Sequence, residues 1–182
     1  MQINKDIYVK LILFVSCLIL CTSCNKQSIK THIPTQEQIH QFKMQNNRVI
    51  IDEKDINNLF TVILYENNKQ FGYYVLYINS KGEFTSDEYF SLKGDNKSNE
   101  KISIAGQSSS EPFAVILFND KDLLSNTSTI IIRSSNGTNG IFQMEERKRS
   151  GYIIPLEKND RNKSEIVKVE LLNKRGEIIY SQ

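Results

Sequence analysis

An all-β fold follows from three observations. From residue 48 onward the apolar residues come in short runs rich in Val, Ile, Tyr, Phe and Thr; clusters of Asn, Gly, Ser and Lys separate the runs; and no helical pattern of ten or more residues intervenes. Without helical crossovers the strands pair antiparallel, and about nine strands in one compact domain pack as two sheets. The expected architecture is an antiparallel two-sheet β-sandwich of Ig-like type, with a small closed β-barrel as the alternative.

The runs are 48–51, 59–66, 70–78, 84–92, 102–105, 113–118, 129–133, 141–144, 152–156, 165–172 and 177–180. In the first hairpin Phe60, Val62 and Leu64 alternate onto one face, Asn67 and Asn68 make the turn, and Phe71, Tyr73, Val75 and Tyr77 return. In the last, Val167, Val169 and Leu171 oppose Lys168 and Glu170, with a turn at 173–176. This alternation predicts sheets covered on one side only. Residues 55–58 and 121–125 each suit a single helical turn. The hydrophilic stretch 93–101 reads as a surface loop.

Ahead of this domain, residues 24–47 are polar and nearly free of clustered apolar side chains, which predicts a tether. Within it Thr35 and Gln38 have the spacing of a capping box for a short helix that places Ile39 and Phe42 on one face. The domain organisation expected is a leader over 1–23, a polar tether over 24–47 and a β-sandwich over 48–182.

The leader begins with Lys5 and Lys10 opposed by Asp6, followed by an apolar run from Leu11 to Cys21. That run is shorter than the ~20 residues of a membrane-spanning helix and matches a signal-peptide core. With Thr22 and Ser23 directly before Cys24, the segment resembles the type II signal peptide of bacterial lipoproteins, although Cys21 stands where that family carries a Leu-like residue. Modification at Cys21 instead would place bulky Leu20 before the acceptor; an ordinary secretory cleavage or an uncleaved anchor are the other readings. The resemblance covers the first 24 residues. It implies a diacylglyceryl group on the Cys24 thiol, palmitate-type acylation, a mature chain starting there, and a location on the extracytoplasmic face of the membrane. Two acyl chains hold a protein stably where one does not. The globular part resembles small lipoproteins of Gram-positive bacteria for which no activity is known.

All three cysteines, Cys17, Cys21 and Cys24, lie in the leader segment, so a chain beginning at Cys24 has no second thiol for a disulfide, a thiolate metal site or a nucleophile. The whole chain carries 23 basic and 21 acidic residues, and residues 1–23 hold two of the former and one of the latter, which leaves a net charge of +1. That balance argues against a nucleic-acid partner. The run Arg147, Lys148 and Arg149 follows Glu145 and Glu146 and reads as a solvated turn.

Catalytic and cofactor motifs are missing. His32 and His40 both fall in the expected tether, and no phosphate-binding, dinucleotide-binding or HExxH pattern occurs, so no cofactor is expected. Asn119, Asp120 and Asp122 offer three oxygen donors for a calcium ion without the spacing of an EF-hand. The pairs Glu145 with Glu146 and Asp87 with Glu88 point to opposite faces if they sit on strands. The four Asn-x-Ser/Thr triplets, at Asn96, Asn126, Asn136 and Asn162, are chance matches in a bacterial lipoprotein. Phe71, Tyr73, Tyr74 and Tyr77, in a strand apolar on both sides, are the candidate binding face if one tyrosine set is exposed; the alternative is a central strand covered on both faces. The expected function is a membrane-anchored, non-catalytic binding module for an envelope protein or a cell-wall ligand. The alternatives are an extracytoplasmic hydrolase built on carboxylates or Ser and Lys, and a structural or assembly-accessory lipoprotein.

Overall fold

The computed structural model describes residues 31–67, 70–92, 100–107, 111–135, 139–146, 148–157 and 166–182. Cys24 and the rest of the leader lie outside them. The fold is all-β and antiparallel, and the described residues form eleven strands in three sheets with no closed barrel among them. The first sheet is a meander of β1 (Val49–Ile56), β2 (Phe60–Asn67), β3 (Gln70–Ile78) and β4 (Phe84–Leu92). The second contains β5 (Ile102–Gln107), β6 (Phe113–Phe118) and β9 (Gly151–Pro155) in the order β5-β6-β9. The third has the order β11-β10-β7-β8, from β7 (Thr129–Ser134), β8 (Asn139–Gln143), β10 (Ile166–Leu172) and β11 (Ile178–Ser181).

Three sheets in place of the expected two follow from the run Phe113–Phe118, FAVILF, in which every residue is buried. Its alternate side chains serve two cores. Phe113, Val115 and Leu117, with Ile153 of β9, pack against Phe60, Val62, Leu64, Phe71, Tyr73 and Val75 of the first sheet. Ala114, Ile116 and Phe118, with Tyr152 and Ile154, pack against Ile130, Ile132, Val169 and Leu171 of the third. The second sheet is thus a middle layer covered on both faces, and the expectation of sheets covered on one side only is corrected here.

The expectation of a tether is corrected as well for residues 31–47. Helix α1 (Gln36–Asn46) forms with the capping box in place: Thr35 Oγ1 accepts from Gln38 N at 3.3 Å, and Gln38 Oε1 accepts from Thr35 N at 2.9 Å. Asn47 closes it in the left-handed conformation. Ile39 is 1% exposed, packed with Ile63, Tyr65, Tyr74 and Leu76 on the outer face of the first sheet, and Phe42 meets Tyr74 edge-on at 4.8 Å. His32 exchanges backbone hydrogen bonds with Ile78 at 3.1 and 2.8 Å. Two apolar side chains suffice because the sheet supplies the rest of the apolar surface, so a polar composition did not preclude docking.

At 55–58 the expected helical turn is instead the end of β1 and a turn carrying Asn57 and Asn58 at positive φ. The turn expected at 121–125 is α2 (Lys121–Asn126). Two hairpin turns repeat one chemistry. Asn79 Oδ1 accepts from Lys81 N and Glu83 N, and Asn173 Oδ1 accepts from Arg175 N and Glu177 N, with Gly82 and Gly176 at φ 80° and 79°.

A buried carboxylate adds a polar link between the first and middle sheets. A bulge between Ile50 and Asp52 in β1 turns Asp52 toward β9, the edge of the middle sheet. Asp52 Oδ2 accepts from Ile153 N at 2.8 Å and Oδ1 accepts from the Arg149 guanidinium, so a buried strand edge finds an acceptor where a neighbouring strand is lacking.

Candidate functional site

Of the candidate binding face, Phe71, Tyr73 and Tyr74 are buried and Tyr77 is half-buried, its hydroxyl donating to Asp87 at 3.2 Å. These residues belong to two cores, Phe71 and Tyr73 with the middle sheet and Tyr74 with α1, so they present no exposed aromatic face. Tyr65 lies over Gly72 of the neighbouring strand and its hydroxyl donates to Glu88 at 2.5 Å; burial first, then Glu88, pushes its pKa up. The Arg48 guanidinium sits 5.2 Å over the Tyr65 ring and 3.8 Å from Glu88. Its Nε is buried without a hydrogen-bond partner.

Lys148 and Arg149 of the basic run are engaged in structural contacts rather than left to solvent. Arg149 pairs with Asp52 and, at 3.3 Å, with Glu145. The Lys148 ammonium donates to the carbonyl oxygens of Leu124, Ser125 and Thr127 at the end of α2, and burial there lowers its pKa. Arg147 lies outside the described residues.

Asn119, Asp120 and Asp122 do not converge as a calcium cage. Asp120 is the N-cap of α2, with Oδ1 accepting from Asp122 N at 2.9 Å and Leu123 N at 3.0 Å; the Leu123 N–H foremost, with Lys101 adding to it, holds its carboxyl below the usual range. Asn119 Nδ2 donates to Glu100 O and Ser103 Oγ. Among the described residues no group of three or more His, Cys, Asp or Glu side chains is arranged to hold a metal ion. No described helix is long and apolar enough to cross a membrane.

What α2 does build is one wall of a cleft of about 400 Å³ lined by Lys101, Asp120, Asp122, Leu123, Asn126, Asn173 and Ile179. Four elements position it: the start of β5 gives Lys101, α2 gives the carboxylates and Asn126, the β10–β11 turn gives Asn173, and β11 gives Ile179. Lys101 Nζ stands 3.6 Å from Asp120 Oδ2, and its backbone oxygen accepts from Asn119 N and Asp120 N. Among the described residues the Asp122 carboxylate has no hydrogen-bond or ion-pair partner, and it lines the cleft together with the Lys101 ammonium, the Asn126 amide and the apolar side chains of Leu123 and Ile179. Among the described residues that line it, none carries an aromatic ring, and the polar groups offered are an ammonium, carboxylates and amides. In the sequence Asp120 and Asp122 stood out as oxygen donors for calcium, Asn126 as an Asn-x-Ser/Thr triplet and Asn173 as the start of the last turn, none of them for a shared cleft.

The cleft and the N-terminal segment sit at opposite ends of the stack. Where the chain enters, at His32 and Ile78, the neighbouring groups are the β1–β2 turn, with Asn57 donating to Glu111, and the pair Phe60 and Phe113 at 6.0 Å. At the other end of β2 and β6, Leu64 and Leu117 close on Gly151, next to Phe118 and the cleft. The five steps of β6 separate the two ends by ~17 Å. Comparison of the chain with protein-family models, with curated proteins and with solved structures returns no match.

Proposed function

We propose that the protein is a binding module held on the outer face of the cytoplasmic membrane by lipid on Cys24, with the cleft directed away from the bilayer toward an envelope ligand rich in hydroxyl and amide groups. The observation that carries this reading is the opposite placement of the chain's point of arrival and the cleft. Six residues lie between Cys24 and Thr31. At ~3.3–3.6 Å per residue the seven steps reach at most ~25 Å, so the domain stays close to the bilayer, and with the end bearing the β1–β2 and β3–β4 turns set nearest to it the cleft stands ~17 Å farther out.

The hydrolase reading keeps one specific support, the two carboxylates in one cleft. Glycoside cleavage pairs a protonated carboxyl with an ionised one, and the helix cap that lowers the Asp120 carboxyl suits it only to the second role. With no catalytic motif in the sequence, binding is the preferred reading.

The experiment uses the cysteine economy of the chain. In cells expressing Asn126→Cys, Cys24 should take up an alkyne palmitate and position 126 should react with a membrane-impermeant maleimide added outside. A chain without lipid label, or one whose position 126 reacts only after lysis, would overturn the proposal.

A further inference from the structure

The first sheet is covered on its outer face by α1 and on its inner face by the middle sheet, whereas among the described residues nothing covers the outer face of the third sheet. Its pairing registers place side chains there strand by strand. Ile178 of β11 is opposite Leu172 of β10, Leu172 is opposite Thr129 of β7, Ile131 is opposite Glu170, and Ile141 of β8 is opposite Ile131. Ile178, Leu172, Ile131 and Ile141 therefore form a diagonal apolar stripe across all four strands. Ile141 is 68% exposed and Ile178 58% exposed, and the two between them are half-buried. Four strands at ~4.8 Å spacing make it ~15 Å long, the length of about ten residues of helix.

Beside the middle of the stripe Glu170 pairs with Lys168 and Arg133, a group of net charge +1, and at the Ile178 end Glu177 pairs with Arg175. Glu170 Oε1 lies 2.6 Å from Lys168 Nζ and Oε2 lies 3.4 Å from Arg133 Nε, and the two cations cover the carboxylate, whose side chain is 7% exposed while theirs are about half exposed. A partner meeting this face thus meets isoleucine and leucine flanked by an ammonium and a guanidinium. An exposed apolar stripe with a group of net positive charge at its margin fits a segment carrying the opposite sign.

We propose that this face docks an apolar segment flanked by carboxylates, presented by a partner protein of the envelope. A second copy of this chain fits less well, because it brings the same two cations and its own Glu170 is already engaged. A bilayer fits less well too. Laying the third sheet on the membrane lifts the first sheet, where the chain enters, by two sheet spacings of ~10 Å plus the side chains, which uses nearly the full reach of the seven steps from Cys24 to Thr31. The surface is distinct from the cleft, and rests on the envelope reading only for where the partner is found.

The test places a photoreactive benzoylphenylalanine at position 178 of the full-length chain in cells, with a control at Lys174 in the β10–β11 turn. Irradiation should give a discrete adduct from 178 and none from 174, with the joined peptide apolar and flanked by Asp or Glu. Ile141→Glu in the same chain should lower that adduct at least tenfold while leaving the melting temperature unchanged, since position 141 is exposed. An adduct to lipid, an adduct to a second copy, a peptide without carboxylates, no adduct, or an adduct indifferent to Ile141→Glu overturns the proposal. Palmitate label read on the same samples separates the two claims: a labelled chain without adduct sinks the docking face alone, and an adduct on an unlabelled chain sinks the anchor alone.

Discussion

Replacing Asp52 with alanine removes the polar link between the first and middle sheets. Asp52 is 7% exposed, and its loss strands the buried N–H of Ile153, which costs about 1–3 kcal/mol. Arg149 also loses the more buried of its two carboxylate partners, keeping Glu145. A fully buried pair broken on one side costs about 3–5 kcal/mol, but the Arg149 side chain is 35% exposed and water takes over much of that role, so the pair adds only about 1 kcal/mol. The sum is about 2–4 kcal/mol, or roughly 4–16 °C in melting temperature for a domain of this size. Asp52→Asn keeps a carbonyl oxygen for Ile153 N and gives up only the charge, so it should cost about half as much. Urea titrations of a chain starting at residue 24 with Cys24→Ser, followed by tyrosine fluorescence, measure both. A loss below about 1 kcal/mol for Asp52→Ala, or equal losses for the two variants, would refute the account of this polar link.

Truncating Tyr73 or Tyr74 to alanine should each cost about 3–5 kcal/mol in the same titrations, because each ring fills a different core; near-neutral melts would restore the exposed aromatic face. Ile39→Ala should cost about 2–4 kcal/mol, whereas a true tether would lose nothing. Gly72→Ala should cost about 1–3 kcal/mol, since the added carbon would stand 2.4 Å from Tyr65 Oη and 2.9 Å from Tyr89 O, and the difference ultraviolet spectrum of Tyr65 should change with it. Lys168 and Arg133 hold the Glu170 carboxyl below its ordinary value. The unfolded chain therefore binds the proton first as pH falls, and the stabilisation present above the ordinary carboxylate range is lost as pH drops through the folded value. Glu170→Gln should flatten the acid limb of the stability curve below about pH 4, and an unchanged limb would contradict that assignment.

The strand grammar was legible because most strands alternate or carry β-branched runs, and the capping box at Thr35 was legible because it is a local pattern spanning four residues. The docking of α1 was not, since it depends on Ile39 finding a sheet assembled from residues 49–92. The number of sheets was written in FAVILF, a run apolar at every position, which is the pattern of a strand buried on both faces; the alternating hairpins at either end of the domain pointed instead to one-sided sheets. Asp52 could not be read as a link between sheets, because nothing in VIIDEKDI marks the bulge that turns it inward. The two Asn-x-Lys/Arg-Gly-Glu turns were a signal that could have been used, and the second of them supplies Asn173 to the cleft. The remaining cleft residues are drawn from positions 101 to 179, a convergence that only the three-layer packing creates.

The binding reading stands or falls on the cleft. A titration of the isotopically labelled chain, from residue 24 with Cys24→Ser, against a soluble disaccharide-peptide fragment of the cell wall measures it by amide and side-chain chemical shifts. Shifts confined to Lys101, Asp122, Asn126 and Asn173, and abolished by Asp122→Ala without loss of fold, are the expected result; shifts elsewhere, or none at millimolar fragment, would contradict it.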